Sequence, residues 1–162
     1  MRIIFLVVLV FFVSAASAQQ VSVPDLFSML DWQHFRIDTT LKKKGYLLMQ
    51  KDIDSVSSIY QYSHLDRNEK KPTTVRSLTY MDVKKGELKS RLLNYRTYSE
   101  EEYVTIARWL LENGYQTKDK FDFGDTKHTV YTNGKETIRV KVITTKLDEE
   151  KTFISYELEL GK

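Results

Sequence analysis

The residue types that most often carry chemistry are few in this 162-residue sequence and lie far apart. The three histidines, His34, His64 and His128, include no pair at the i,i+4 spacing that places two zinc ligands on one helix face. Each is predicted to be a surface or rim residue, and no metal site is expected. The sequence has no cysteine, which excludes thiol nucleophiles, thiolate metal ligands and iron–sulfur clusters.

The run Asp119-Lys-Phe-Asp-Phe-Gly-Asp125 has an acidic residue at every third position. It lacks the ligand spacing and the terminal Glu of a calcium loop. Its letters D-F-G are not accompanied by the glycine-rich loop, lysine motif or catalytic loop of a kinase. Gly124 and Asp125 are typical turn residues, so the run is predicted to be a hairpin rather than a cation site.

Other catalytic signatures are absent from the sequence. It contains no G-x-S-x-G elbow, Walker loop or dinucleotide fingerprint. Glycoside cleavage needs only two carboxylates at a suitable separation, and the chain has 22 acidic residues, but no pair stands out. We therefore predict no cofactor and no catalytic residue. A hydrolase acting on glycans stays an alternative.

The first residues, MRIIFLVVLVFFVSAASAQQ, have the pattern of a signal peptide. Arg2 precedes the apolar run Ile3–Val13, and Ala16-Ser17-Ala18 predicts cleavage before Gln19. The run is shorter than the ~20 residues that span a bilayer, so no transmembrane segment is expected after cleavage. We predict a signal peptide over residues 1–18 and a bacterial protein exported to the periplasm or the cell exterior.

Composition narrows the range of partners. The predicted mature chain has 144 of the 162 residues and loses only Arg2 from the charge count, so its formal charge falls from +3 to +2. Such a charge is too small to indicate nucleic acid or an anionic membrane as a partner. A chain of this size can form a core without disulfides, and the lack of cysteine suits a bacterial exported protein.

Two stretches of similar sequence predict two helices. Ser99 and Glu102 form a capping box, which predicts a helix over Glu100–Asn113 that ends at Gly114 in WLLENGYQ. TLKKKGYL predicts a rougher helix from about 32 to 44 that ends at Gly45. Pro24 predicts a separate helical turn over residues 25–30.

Strands follow each Gly-Tyr pair. Alternating residues predict four antiparallel strands in each half, and Asn133-Gly134 marks one hairpin. The halves, residues 19–98 and 99–162, align through the Gly-Tyr pairs, through Thr74-Val-Arg76 with Thr137-Ile-Arg139, and through Leu93–Tyr95 with Ile154–Tyr156. This predicts a tandem duplication of a helix plus four strands.

The predicted fold class is α+β. Two separate lobes of about 70 residues without disulfides would be marginal, so we expect one continuous sheet in a single compact domain. Both helices are expected on one face, which leaves the other face open to solvent or a partner.

Tyrosine is unusually frequent, with ten copies. Tyr95 and Tyr156 are predicted to lie in the core, and Tyr46 and Tyr115 where helix meets sheet. With core positions at Val75, Ser77, Thr79, Ile138, Val140 and Val142, the predicted open-face residues are Tyr60, Tyr62, Arg76, Tyr80, Tyr131, Arg139 and Lys141. Tyr and Arg are common binding hot spots, although Tyr is also favoured in strands for its propensity alone.

The signal peptide and the repeated helix-Gly-Tyr-strands pattern resemble a group of small exported proteins common in Bacteroidota, which implies a location rather than an activity. The repeated helix-plus-four-strand plan also resembles the architecture of β-lactamase inhibitor proteins, which bind an enzyme across a concave sheet. Those proteins have disulfides and this chain has no cysteine, so no inhibitory residue is carried across.

These observations favour an exported, non-catalytic protein that binds an envelope protein or a glycan through its open sheet face. The alternatives are the glycan hydrolase and a purely structural envelope component. The sequence does not specify the ligand or the oligomeric state.

Overall fold

The computed structural model describes residues 20–66, 73–146 and 151–162. These residues form three helices, α1 (Val23–Met29), α2 (His34–Lys43) and α3 (Glu100–Glu112). They also form eight strands, β1 (Leu47–Ile53), β2 (Ser57–Asp66), β3 (Thr73–Lys85), β4 (Leu88–Thr97), β5 (Gln116–Phe123), β6 (Thr126–Thr132), β7 (Thr137–Lys146) and β8 (Thr152–Gly161). The predicted signal peptide, residues 1–18, lies outside the described residues.

The eight strands form one antiparallel sheet in the order β1-β2-β3-β4-β8-β7-β6-β5. The last strand of each half, β4 or β8, lies at the centre, and the first, β1 or β5, lies at an edge. The predicted α+β fold with one continuous sheet is confirmed. The predicted hairpins at Gly124-Asp125 and Asn133-Gly134 join β5 to β6 and β6 to β7. The duplication of the two halves stays a prediction.

The two Gly-Tyr pairs end α2 and α3 in the same way. Gly45 and Gly114 have φ of +83° and +82°, a left-handed conformation that favours glycine. The amides of Tyr46 and Tyr115 each donate, at 3.0 Å, to a carbonyl five residues earlier. This is the Schellman arrangement, which satisfies the last carbonyls of a helix. Both pairs are therefore helix stops.

All three helices cover the same face of the sheet. Their inward side chains, each at most 4% exposed, join the sheet in one hydrophobic core: Leu26, Met29, Ile37, Leu41, Ile106 and Leu110. The rings of Phe27 in α1 and Trp109 in α3 lie 5.1 Å apart, so the short helix packs beside the last one. Among the described residues, no helix has the length and apolar character needed to cross a membrane.

Candidate functional site: the open face of the sheet

The strand registers divide the sheet residues between two faces. One row of opposed residues, buried beneath the helices, consists of Tyr60, Tyr80, Leu93 and Leu160. The adjacent residues point away from the helices. We call this second surface the open face, and its central residues are Gln61, Ser63, Ser77, Thr79, Met81, Leu92, Asn94, Arg96, Val130, Thr137, Arg139, Lys141, Glu157 and Glu159.

Only two of the seven residues predicted for the binding face, Arg139 and Lys141, lie on the open face. The other five point towards the helices: Tyr60, Tyr62, Tyr80 and Tyr131, none more than 7% exposed, and Arg76. The predicted placement of these five is wrong. Side chains inside the core cannot contact a partner while the protein stays folded.

The error for β3 arises from the alignment of Thr74-Val-Arg76 with Thr137-Ile-Arg139, and β2, which pairs with β3, shares it. Tyr131 is a separate error, because it lies opposite the buried Ile138. Successive side chains of a strand point to opposite faces, so a shift of one residue exchanges the two faces along the whole strand. Arg76 lies on the helix side and Arg139 on the open face. Consequently Val75, Ser77 and Thr79 lie on the open side instead of in the core. Ile138 and Val140 are buried as predicted, and Val142 is half-buried.

The remaining aromatic and histidine positions are mostly as expected. The core tyrosines Tyr95 and Tyr156 and the helix-end tyrosines Tyr46 and Tyr115 are all buried. His34 and His128 are half-buried. The prediction that His64 is a surface or rim residue is wrong, because this side chain is buried. Its ring lies 5.4 Å from that of Tyr46. Within residues 20–66, 73–146 and 151–162, no three His, Asp or Glu side chains are placed to hold a metal ion.

Arg76 belongs to a buried polar cluster around Glu102. Its Nε donates to Glu102 Oε2 at 2.9 Å, and Thr97 Oγ1 donates to the same oxygen at 2.8 Å. The Tyr95 hydroxyl donates to Oε1. Ser99 caps the helix as predicted, by accepting from the Glu102 amide at 3.3 Å. The carboxylate of Glu102, however, joins α3 to the sheet instead of returning to the Ser99 amide, which donates to Thr97.

A cluster of charged side chains crosses the centre of the open face. Glu157 accepts from Arg96 Nε at 2.6 Å and from Asn94 Nδ2 at 3.1 Å. Lys141 Nζ lies 3.6 Å from Glu157 and also donates to Glu159. Arg139 Nη1 donates to Glu159 at 3.3 Å. The strand registers of β4, β8 and β7 set these pairs side by side.

Glu157 is the most enclosed member of this cluster, with its side chain 5% exposed. Burial alone would raise its pKa, because a carboxylate loses hydration when it is buried. The hydrogen bonds from Asn94 and Arg96 and the charges of Arg96 and Lys141 outweigh burial and hold the pKa of Glu157 below its usual value. The carboxylate is therefore ionised at neutral pH.

The open face contains a groove of about 760 Å³. Its charged floor carries Arg96, Arg139, Glu157 and Glu159. Apolar side chains flank the charges: Met49, Met81, Leu92 and Val130. The groove has the size of sites that enclose ligands or partner side chains, and it draws on strands from both halves of the chain.

The two carboxylates of the groove bear on the alternative of a glycan hydrolase. Glu157 and Glu159 are two carboxylates in one groove, as a glycosidase requires. The acid of such a pair needs a raised pKa and its partner stays ionised, so Glu157, whose pKa is lowered, fits only the ionised role. Both carboxylates are also held by cationic side chains.

The sequence could have indicated part of this site. Glu157 and Glu159 alternate with Leu158 and Leu160, which places both carboxylates opposite the core. Asn94 and Arg96 carry no such local signal, because their contacts with Glu157 span 63 and 61 residues. No family model matches the chain, and comparisons with curated proteins and with solved structures find no match. The resemblances drawn from the sequence stay predictions.

Proposed function

We propose that this protein is an exported, non-catalytic binding module that recognises a partner protein through the groove of its open face. The observation that carries the proposal is the groove itself, which lies on the sheet face that the helices leave uncovered. It combines apolar flanks with half-exposed arginines, which is the residue mixture of protein interfaces. The signal-peptide pattern of residues 1–18 supports export.

A protein partner fits the groove better than a glycan does. Sugar recognition commonly uses aromatic rings that stack on the pyranose face, and the four tyrosines predicted for the binding face lie in the core. The apolar groove residues that lie on the open face are aliphatic or methionine: Met49, Met81, Leu92 and Val130. The other apolar lining residues, Tyr62, Leu93 and Leu160, are buried on the helix side of the sheet. Methionine adapts to irregular protein surfaces, so these flanks suit apolar side chains of a partner.

Site-specific photocrosslinking tests the proposal. A benzophenone amino acid is placed either at Leu92, which lines the groove and is 47% exposed, or at Leu111, which lies on the outer side of α3 and is 57% exposed. The two positions are matched in residue type and exposure. In cells that naturally make the protein, the Leu92 probe should form a heavier adduct with one discrete protein, and the Leu111 probe should not.

Three outcomes would contradict the proposal. Equal adducts from Leu92 and Leu111 would show that the groove is not selective. Adducts that contain only a second copy of the chain would favour the structural envelope component. Adducts with glycan would favour the hydrolase if the natural chain also cleaves that glycan and the Glu157→Gln variant does not.

A further inference from the structure

The sequence contains two Asn-Gly pairs, Asn113-Gly114 at the end of α3 and Asn133-Gly134 between β6 and β7. All four residues are exposed. An Asn-Gly pair is open to a spontaneous reaction in which the glycine amide nitrogen attacks the side-chain amide carbon of the asparagine. Glycine permits this attack because it has no Cβ to hinder the nitrogen. Since both pairs are exposed, the contacts around each pair decide whether it reacts.

The hairpin turn holds Asn133 in an arrangement that favours the reaction. Its Oδ1 accepts from the backbone amides of Lys135 at 3.0 Å and Glu136 at 2.9 Å. The same oxygen gains negative charge when the side-chain carbon is attacked, and amide donors at this range stabilise such an oxyanion. The Gly134 amide, which must lose its proton, donates to Thr132 Oγ1 at 3.1 Å. The turn therefore polarises the attacked carbonyl and places an acceptor on the N–H of the nucleophile.

Asn113 has the opposite arrangement at the end of α3. Its Nδ2, the nitrogen that would leave, donates to the Trp109 carbonyl at 2.8 Å. The Gly114 amide donates to the Leu111 carbonyl at 3.2 Å as part of the helix stop. The Asn113 Oδ1 receives no hydrogen bond from the part of the chain that the structure describes. The attack at Asn113 would therefore have to open the end of the helix, and no donor would stabilise the oxyanion.

From this contrast we infer that Asn133 is a site of spontaneous deamidation and that the fold protects Asn113 from the same reaction. The Gly134 nitrogen forms a bond to Asn133 Cγ, the Cγ–Nδ2 bond breaks, and ammonia leaves with the proton of the Gly134 amide. Water then opens the resulting succinimide, at one carbonyl to give aspartate and at the other to give isoaspartate. The reaction needs only water, and it does not depend on the proposed binding function.

The two products affect the hairpin differently. Aspartate keeps an acceptor for the amides of Lys135 and Glu136, so the turn is retained with one additional negative charge. Isoaspartate carries the chain through the former side-chain carbon, which adds a methylene to the backbone and removes that acceptor. The strand β7 begins at Thr137, directly after this turn, and supplies Thr137 and Arg139 to the groove. Isoaspartate formation should therefore change the edge of the groove.

Peptide mass spectrometry of the full mature chain tests the inference. The folded protein is incubated in mildly alkaline buffer and sampled over time, beside a second sample that is unfolded in guanidinium chloride. In the folded protein, Asn133 should deamidate at least about ten-fold faster than Asn113, because oxyanion donors contribute this much or more to a rate. In guanidinium chloride both sites should react at similar rates, since the helix end and the turn are lost. Intact Asn133→Gln protein should show no early deamidation.

Three results would contradict the inference. Equal rates at the two sites in the folded protein, or a faster reaction at Asn113, would overturn it. A slower reaction of Asn133 in the folded chain than in the unfolded chain would show that the turn does not promote the attack. Resistance of Asn113 in guanidinium chloride would show that its sequence neighbours, rather than the end of α3, protect it.

Discussion

Arg76 and Glu102 join the central sheet to α3 through a buried ion pair, with Arg76 Nε 2.9 Å from Glu102 Oε2. The side chains are 20% and 4% exposed. Burial alone would lower the pKa of Arg76, but the charge of Glu102 outweighs it and raises that pKa. Tyr95 and Thr97 supply two further hydrogen bonds to the carboxylate. The pair fixes where α3 begins relative to the sheet.

Replacement of Glu102 by Gln should destabilise the protein strongly. The amide has nearly the shape of the carboxylate but leaves the Arg76 charge buried without a counterion, which costs about 3 kcal/mol or more. Urea denaturation measures the free energy of unfolding. The control is Glu101→Gln on the exposed side of the same helical turn, which should change it by less than about 0.5 kcal/mol. Similar effects of the two variants would show that the pair contributes little.

Tyr80 and Tyr95 should respond in opposite ways to replacement by Phe. Among the described residues, the buried Tyr80 hydroxyl has no hydrogen-bond partner, so its removal should leave stability unchanged or raise it by up to about 1 kcal/mol. The Tyr95 hydroxyl donates to Glu102, so Tyr95→Phe should cost about 1–3 kcal/mol. Thermal and urea unfolding of the two variants provide the measurement. A large loss in Tyr80→Phe would reveal a polar contact at that hydroxyl.

The burial of Tyr80 and Tyr131 determines which substitutions can test binding. The sequence alone suggests replacing Tyr80, Tyr131 and Arg139 together, but that variant removes two core side chains. Truncation of a large buried aromatic residue costs about 3–5 kcal/mol. Loss of binding in that triple variant would therefore report unfolding. Substitutions at Arg139 and Leu92 avoid this problem, because both side chains lie on the open face.

Local patterns predicted the elements, and the faces of some strands, for clear physical reasons. Glycine stops and caps act within a few residues, so α2 and α3 could be located from Gly45, Gly114 and Ser99. In β8, Leu158 and Leu160 alternate with glutamates, and the buried face follows directly. Such strands have one apolar and one polar side.

The faces of β3 were not predictable by the same argument. Its helix side holds Arg76, and its open side holds Met81 and Thr79. Neither set of alternate residues along the strand is therefore clearly apolar. Arg76 is buried only because Glu102 meets it from α3, 26 residues away in the chain. The groove likewise depends on the pairing of β4 with β8, which joins the two halves of the chain and has no local sequence signal.

Acidification should weaken the protein through Glu157. The pKa of its carboxyl lies below the usual 4.5 in the folded state, so the folded state binds fewer protons than the unfolded state near that pH. The stability that its ionisation contributes is fully present above about pH 4.5 and is lost as pH falls through the lower folded pKa. Unfolding free energies measured from neutral pH into this acid range should fall less steeply for Glu157→Gln than for the natural chain.

The control for this pH dependence is Glu159→Gln. It removes the same charge from the same face, but its side chain is 31% exposed, against 5% for Glu157. The Glu159→Gln variant should keep the acid-induced loss that Glu157 causes. If both variants flatten the pH profile equally, the effect belongs to the net charge of the open face rather than to the enclosed carboxylate.

Only a D-amino acid should replace Gly114 without a loss of stability. A Cβ added there has no atom within 4 Å, so the cost of Gly114→Ala comes only from its φ of +82°. L-alanine in this left-handed conformation should lower the free energy of unfolding by about 1–2 kcal/mol. D-alanine, introduced by semisynthesis, adopts the conformation without strain and should raise it by about 0.4–1 kcal/mol through a less flexible unfolded chain. Urea unfolding compares two variants with identical atoms, and equal stabilities would mean that α3 does not depend on this stop. Both variants should keep the Leu92 crosslinking of the natural chain, because Gly114 follows α3 and lies away from the groove.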